Sequence, residues 1–278
     1  MTTISIPGID FDTIDANGTD WGISLFDGWG GAASTVTLTQ KPYAAGAWTG
    51  SPPQLKSRSV SIGGIISAAT PALALAAEDL LNASITLAPF TLTVNQAGGS
   101  RWAKAMRQGE VTRDYINDRA FKWGATLAIP DPLKYGQSLT ASTKLPSTTG
   151  GLTVPFTVPF TIDATTVTGQ CSLTNAGNAT GPVTARIDGP CSGTTTITHN
   201  GTGKRLQFGS SLSLPEGQFM LIDMTAHTVL EQGQADRLGY VTDYGWSGFE
   251  PGVNTWSFAS SGEDDGAVLT ITATEAWQ

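Results

Sequence analysis

The chain has 278 residues, of which 14% are charged, against about 25% in an average soluble domain. Its net charge of −8 belongs to one half: residues 1–150 hold 11 acids and 11 bases, whereas residues 151–278 hold 12 acids and four bases. Such a surface repels nucleic-acid backbones and anionic membranes, which argues against sequence-independent DNA binding, and 40% apolar content argues against disorder. With 33 glycines, 15 prolines and abundant Ser and Thr, the composition points to many short strands and turns, and so to a mostly β fold.

The first 30 residues carry five acids with Trp21 and Trp29 among Gly-rich turns. Met1–Asp10 has neither a basic n-region nor an apolar h-region, so no secretion signal is expected. Strands are expected at Val36–Thr39 and Val60–Ile62, with Tyr43–Pro53 between them as a long irregular loop containing Trp48. Pro71–Leu81 predicts the one short helix, with Thr70 as N-cap and Pro71 at the first helical position. Leu73, Leu80 and the alanines would form its packing face, and it is far below the roughly 20 residues that span a bilayer. Phe90–Val94 alternates strictly and leads through the turn Asn95–Ser100 into a basic segment. Six of the 15 basic residues, Arg101, Lys104, Arg107, Arg113, Arg119 and Lys122, lie within 22 positions, diluted by Glu110, Asp114 and Asp118. That mixture reads as a solvated face or a subunit contact rather than a polyanion site. Phe121–Ile129 has apolar residues at every odd position, and Pro130 and Pro132 end it because proline cannot donate to a ladder.

Gln137–Gly151 reads as a linker, dividing residues 1–137 from a second domain over 152–278, with 138–151 between. From Leu152 to Ile162, six apolar residues alternate with Thr and Pro, predicting an edge strand or an extended arm. Short strands follow at the spacing of a β-sandwich: Cys171–Thr174 and Val183–Ile187 across the turn Asn175–Pro182, then Thr194–Thr198, Leu206–Phe208, Leu212–Leu214, Gln218–Asp223, Val229, Asn254–Phe258 and Ala267–Thr274. Cys171 and Cys191 read as small buried hydrophobes of a reducing compartment, with pairing left open.

No constellation announces catalysis. Glu263-Asp264-Asp265 between two glycines reads as a solvated loop tip, and His227 as an exposed turn residue. Cys171, Cys191, His199 and His227 lack the close ligand spacing of a metal site. Nucleophile elbow, phosphate loop and zinc-protease motifs are absent, although a distributed carboxylate pair stays open. The expectation is a protein that is not an enzyme, with no catalytic residue, cofactor or metal. Trp246, Trp256, Trp277, Tyr240 and Tyr244 gather near the C-terminus. Trp256 and Phe258 share strand parity and read as core; Trp246 is the expected exposed ring.

The strand that ends in Asp131-Pro132-Leu133-Lys134-Tyr135 follows Arg58-Ser-Val60-Ser-Ile62-Gly63-Gly64, a helix and a basic strand. In the second half stand Ile187-Asp188-Gly189-Pro190, Asn200-Gly201-Thr202-Gly203, Leu214-Pro215-Glu216-Gly217, Leu221-Ile222-Asp223 and Pro251-Gly252-Val253-Asn254. In that order and spacing they resemble the distal tail protein (Dit) family of long-tailed bacteriophages. The resemblance implies a β-rich, ring-forming, tail-tube-like N-terminal domain with one short helix and a C-terminal galectin-like β-sandwich. It also implies a homo-hexameric ring at the virion tail tip, assembled in the host bacterial cytoplasm. Such a ring joins the tail tube protein to the tail-associated hub or lysin protein around a DNA channel, with receptor-binding proteins or host surface glycans as further partners. Alternatives from the residues alone are a tail tube subunit with an extra domain and a carbohydrate-binding sandwich module.

Overall fold

The computed structural model describes residues 2–149, 165–262 and 266–278, and the chain separates into two compact units, residues 1–136 and 137–277. The predicted strand at Leu152–Ile162 and the acidic tip Glu263–Asp265 lie outside the described residues.

The first unit is built around one long strand, Gly99–Asn117, that serves two sheets. Its first half pairs with Phe90–Gln96, which pairs in turn with Thr3–Ile6. Its second half pairs with Ala120–Ile129, followed outward by Arg58–Ser67 and Asp20–Asp27, all antiparallel. Gly109, at φ +80, sits where the ladder slips between Gln108 and Thr112, a backbone that a side chain would strain. Odd residues from Phe121 to Ile129 are all buried, as the alternation requires. They meet Ile4, Phe11, Trp21, Ile62, Leu81 and Leu92 in a single core. Phe11 stacks on Trp123 with ring centroids 5.2 Å apart.

One helix, Pro71–Ser84, covers part of that core, and the Thr70 hydroxyl accepts from Leu73 N at 3.3 Å. Its packing face is Ala74, Ala77, Glu78 and Leu81, whereas Leu80 is turned to solvent. The predicted Leu73/Leu80 face is thus rotated. Small alanines let the helix approach the sheet closely, and the buried Glu78 carboxylate, described below, shares that face with Leu81.

The second unit is a β-sandwich. One sheet orders Gln137–Lys144, Val268–Trp277, Val183–Asp188, Phe219–Asp223 and Thr228–Glu231; the other orders Gln170–Asn175, Gly252–Ser260, Thr195–His199, Lys204–Phe208 and Val241–Tyr244. Trp256, Phe258, Phe249, Phe208 and Ile271 fill the space between. Two sequence readings are corrected here. Residues 137–144 are strand, the continuation of Lys134–Lys144 across the division between units, rather than linker. Leu139, Ala141 and Leu145 pack on the core while Ser138, Thr140 and Ser142 meet Thr274, Thr272 and Thr270 hydroxyl to hydroxyl at 2.8, 3.2 and 2.9 Å. Strands Gln170–Asn175 and Val183–Asp188 do not form a hairpin: they lie in opposite sheets. The connection crosses over because buried Asn175 donates to Ala179 O and Phe249 O, at 3.0 and 2.8 Å, in place of a tight turn.

Candidate assembly surface

The four-stranded sheet of the first unit has Asp20–Asp27 and Gln108–Asn117 as its outer strands. Asp20–Asp27 pairs along its length with Arg58–Ser67, and its first half also bonds outward to Asp12, Thr13 and Ile14, whereas Gln108–Asn117 pairs only with Ala120–Ile129 among the described residues. Ser24–Asp27 on one side and Gln108–Asn117 on the other leave backbone donors and acceptors that a further strand can satisfy. Away from the core the sheet shows small and hydroxyl side chains in register: Thr126 opposite Ser61, Ala128 opposite Ser59 and Gly124 opposite Gly63. Lys122 stands opposite Asp114, so the face carries little net charge. The six clustered bases do not form one patch. Arg113 pairs with Glu78, Arg119 lies 3.9 Å from Asp118, and Lys104 donates to Thr91 Oγ1 at 2.8 Å.

Glu78 is the buried carboxylate that the sequence reading passed over. It pairs with Arg113, accepts from the Tyr115 hydroxyl, and faces a cavity of about 280 Å³ lined also by Leu81, Asn82, Val111 and Phe121. What the pair does is tie the helix to the second half of the long strand.

At the opposite end, two cations are buried with no carboxylate against them. Arg58 donates to the carbonyls of Gly28, Trp29, Gly30 and Pro132, and Lys134 Nζ donates to Trp29 O and Gly30 O at 3.4 and 3.1 Å. Both stand over the Trp29 ring at about 6 Å from its centre. Burial, reinforced by Arg58 and Arg101, pushes the Lys134 ammonium down to about 8. The clamp fixes the turn Gly28–Gly30 from which a β-hairpin arm, residues 33–56, leaves the unit. Among the described residues the arm pairs only with itself, Ser34–Thr35 with Gln54–Leu55 and Leu38–Gln40 with Ala47–Thr49, so a ribbon stands where Tyr43–Pro53 was expected to be an irregular loop. Alternation was interrupted there by Pro42, Gly46, Gly50, Pro52 and Pro53, which hid the ribbon.

In the second unit His199 and both cysteines are buried, and only His227 of the four is exposed. His199 is buried against Trp256, bonded to Asn254 Oδ1 at 2.9 Å and Thr202 Oγ1 at 2.7 Å. His227 is exposed and stacks on Trp246, with centroids 4.8 Å apart, so Trp246 is partly covered and Tyr244 is the more exposed ring. Cys171 and Cys191 are buried in different sheets, and burial pushes the Cys171 thiol up to about 11. Carboxylates pair with arginines: Asp188 with Arg186 and Glu231 with Arg237 at 2.6 Å, Asp243 with Arg205 at 2.9 Å. Among the described residues no three His, Cys, Asp or Glu side chains converge as metal ligands, and no helix is long and apolar enough to cross a membrane.

No protein-family model matches the chain, and no curated protein matches it. Solved structures do. The SPP1 Dit (gp 19.1) protein, described as a paradigm of the hub adsorption apparatus in phages infecting Gram-positive hosts, superposes with a TM-score of 0.70 at 14% identity, over 100% of both chains. A chain of the phage P2 baseplate in its calcium-activated conformation gives 0.55 at 11% identity over 98% of each chain. The strontium-activated baseplate gives 0.51 at 13% identity, over 98% of this chain and 97% of that one. The chain therefore shares the two-unit, mostly β fold of these tail proteins.

Proposed function

We propose that the protein is a non-enzymatic structural element of a long-tailed phage tail tip, a distal tail protein whose first unit closes into a ring. The observation that carries this reading is the pair of open edges on one sheet, Ser24–Asp27 on one side and Gln108–Asn117 on the other. An edge of one copy meeting the opposite edge of the next is a head-to-tail contact, and such contacts close into rings when the rotation between copies is a simple fraction of a turn. Whole-length likeness in fold to SPP1 Dit supports the tail-tip setting, and the family resemblance supplies six as the number of copies. The small, hydroxyl-rich outward face suits a channel wall, because it offers DNA few cations to grip. The acidic second unit then serves as the attachment point for neighbouring tail components, with the tail tube and hub proteins as the ring's partners.

Native mass spectrometry of concentrated protein, together with electron microscopy of isolated tails, tests this. A closed ring at the tail tip is expected. A strict monomer at high concentration that is also missing from virions would sink the reading.

A further inference from the structure

Arg58, Lys134 and Trp29 stand together at the root of the arm, and each is more than nine-tenths buried. The two cations share acceptors: Arg58 Nη1 and Lys134 Nζ both donate to Trp29 O and Gly30 O. Arg58 Cζ and Lys134 Nζ lie 6.0 and 5.9 Å from the centre of the Trp29 indole. Two like charges buried this close call for a counter-charge, because neutral carbonyl dipoles replace only part of the lost hydration. Among the described residues no carboxylate supplies it. Asp131 accepts from Leu133 N at 3.0 Å and from the Tyr135 hydroxyl, Asp27 is exposed, and neither forms an ion pair with Arg58 or Lys134. The charges that act on Lys134 are those of Arg58 and Arg101, both of its own sign.

Donors are also left over. Arg58 Nε and Trp29 Nε1 are buried with no acceptor among the described residues. The Lys134 ammonium brings three hydrogens to two carbonyls. The carbonyls around it are already in use, since Gly28, Trp29, Gly30 and Pro132 all accept from Arg58. What fits such a set accepts from several N–H groups and donates nothing. A water would bring two hydrogens of its own in need of acceptors, whereas an anion brings none. Burial of all three side chains limits that anion to a compact one.

We propose that Arg58, Lys134 and the Trp29 indole hold a compact monovalent anion of chloride size, buried at the root of the arm. The two cations supply the attraction, and the indole N–H, a neutral donor, adds preference for an acceptor. Bound there, the ion offsets the repulsion between Arg58 and Lys134 and stabilises the turn Gly28–Gly30.

The test is hydrogen exchange of the full chain at fixed ionic strength, with chloride replacing gluconate from about 1 to about 300 mM. Exchange at residues 28–30 is expected to slow about fivefold and then level off, with Gly252–Ser260 in the second unit as the unchanged reference. Trp29→Phe keeps the ring and removes its N–H, and Lys134→Met removes one charge; both should lose the chloride response. Exchange that follows ionic strength whichever anion is present would overturn the proposal, and so would an undiminished response in Trp29→Phe. The second measurement is anomalous diffraction from crystals soaked in bromide, with a peak expected in contact with Trp29 Nε1, Arg58 Nε and Lys134 Nζ. An ordered water without anomalous signal at those donors would overturn the site. A bromide peak with no chloride response in solution would mean an adventitious ion only, and would overturn it as well.

Discussion

The two units differ in how fully each satisfies its own polar groups. The second unit satisfies its polar groups internally: Asn254 accepts from His199 Nε2 and Glu250 N and donates to Glu250 O and Gly252 O, and buried Asn175 does the same for the crossover. In the first unit, by contrast, two cations are buried with no carboxylate against them among the described residues, and an apolar arm stands in solvent. Net charge follows the same division, balanced in the first half and acidic in the second. Unfinished bonding in a folded subunit is what association completes, so assembly is expected to reside in the first unit.

The largest effect that tests this comparison is expected from Trp256→Ala. The indole is fully buried, and its Nε1 donates to Ser247 Oγ at 3.3 Å. Truncation should cost about 3–5 kcal/mol. In calorimetry the transition of the second unit should fall while that of the first stays in place. A common shift of both would show the units melting as one.

Next in size is Arg58→Leu, which strips a donor from four carbonyls at the root of the arm and should cost the first unit about 1–3 kcal/mol. Hydrogen exchange should accelerate at residues 28–30 while the second unit is unaffected.

Lys134 sharpens the contrast through pH. Its folded value of about 8 lies below the ordinary 10.5, so between the two the unfolded chain binds more protons. Stability of the first unit should therefore rise as pH climbs from about 8 to about 10.5, as the cost of the buried charge is relieved. Urea midpoints should show that slope, and Lys134→Met should remove it. The smallest effect is expected from shortening the arm, within about 0.5 kcal/mol of wild type in urea titration, since no residue there is buried.

Much of the fold was legible because it follows periodicity. Phe121–Ile129, the capped helix and the Trp256/Phe258 core pair each obey a local rule that the structure repeats. What escaped depends on partners distant in sequence. The strand at 137–144 hides its alternation because its outward side is Ser and Thr rather than charge, and its inward side includes Ala141 and Thr143. Asn175 looked like a turn residue, and only its bond to Phe249 O, 74 positions away, makes it a crossover. Nothing local marks Arg58 and Glu78 as buried, since burial of an ionised group is visible only once its donors and acceptors are in place. The sheet edges were not legible at all, because an edge is defined by a strand that is missing.

The strand that opens the second unit has one further consequence. Its hydroxyl pairs, Ser138 with Thr274, Thr140 with Thr272 and Ser142 with Thr270, are chemically interchangeable, so sliding by two residues would keep two of the three as contacts of the same kind. The opposite side is not interchangeable. The observed alignment sets Leu139 against Ala273 and Ala141 against Ile271, large beside small, and a two-residue slide would crowd Leu139 onto Ile271. Alignment here is therefore selected by steric volume, with the hydroxyl side indifferent to where the strand stops.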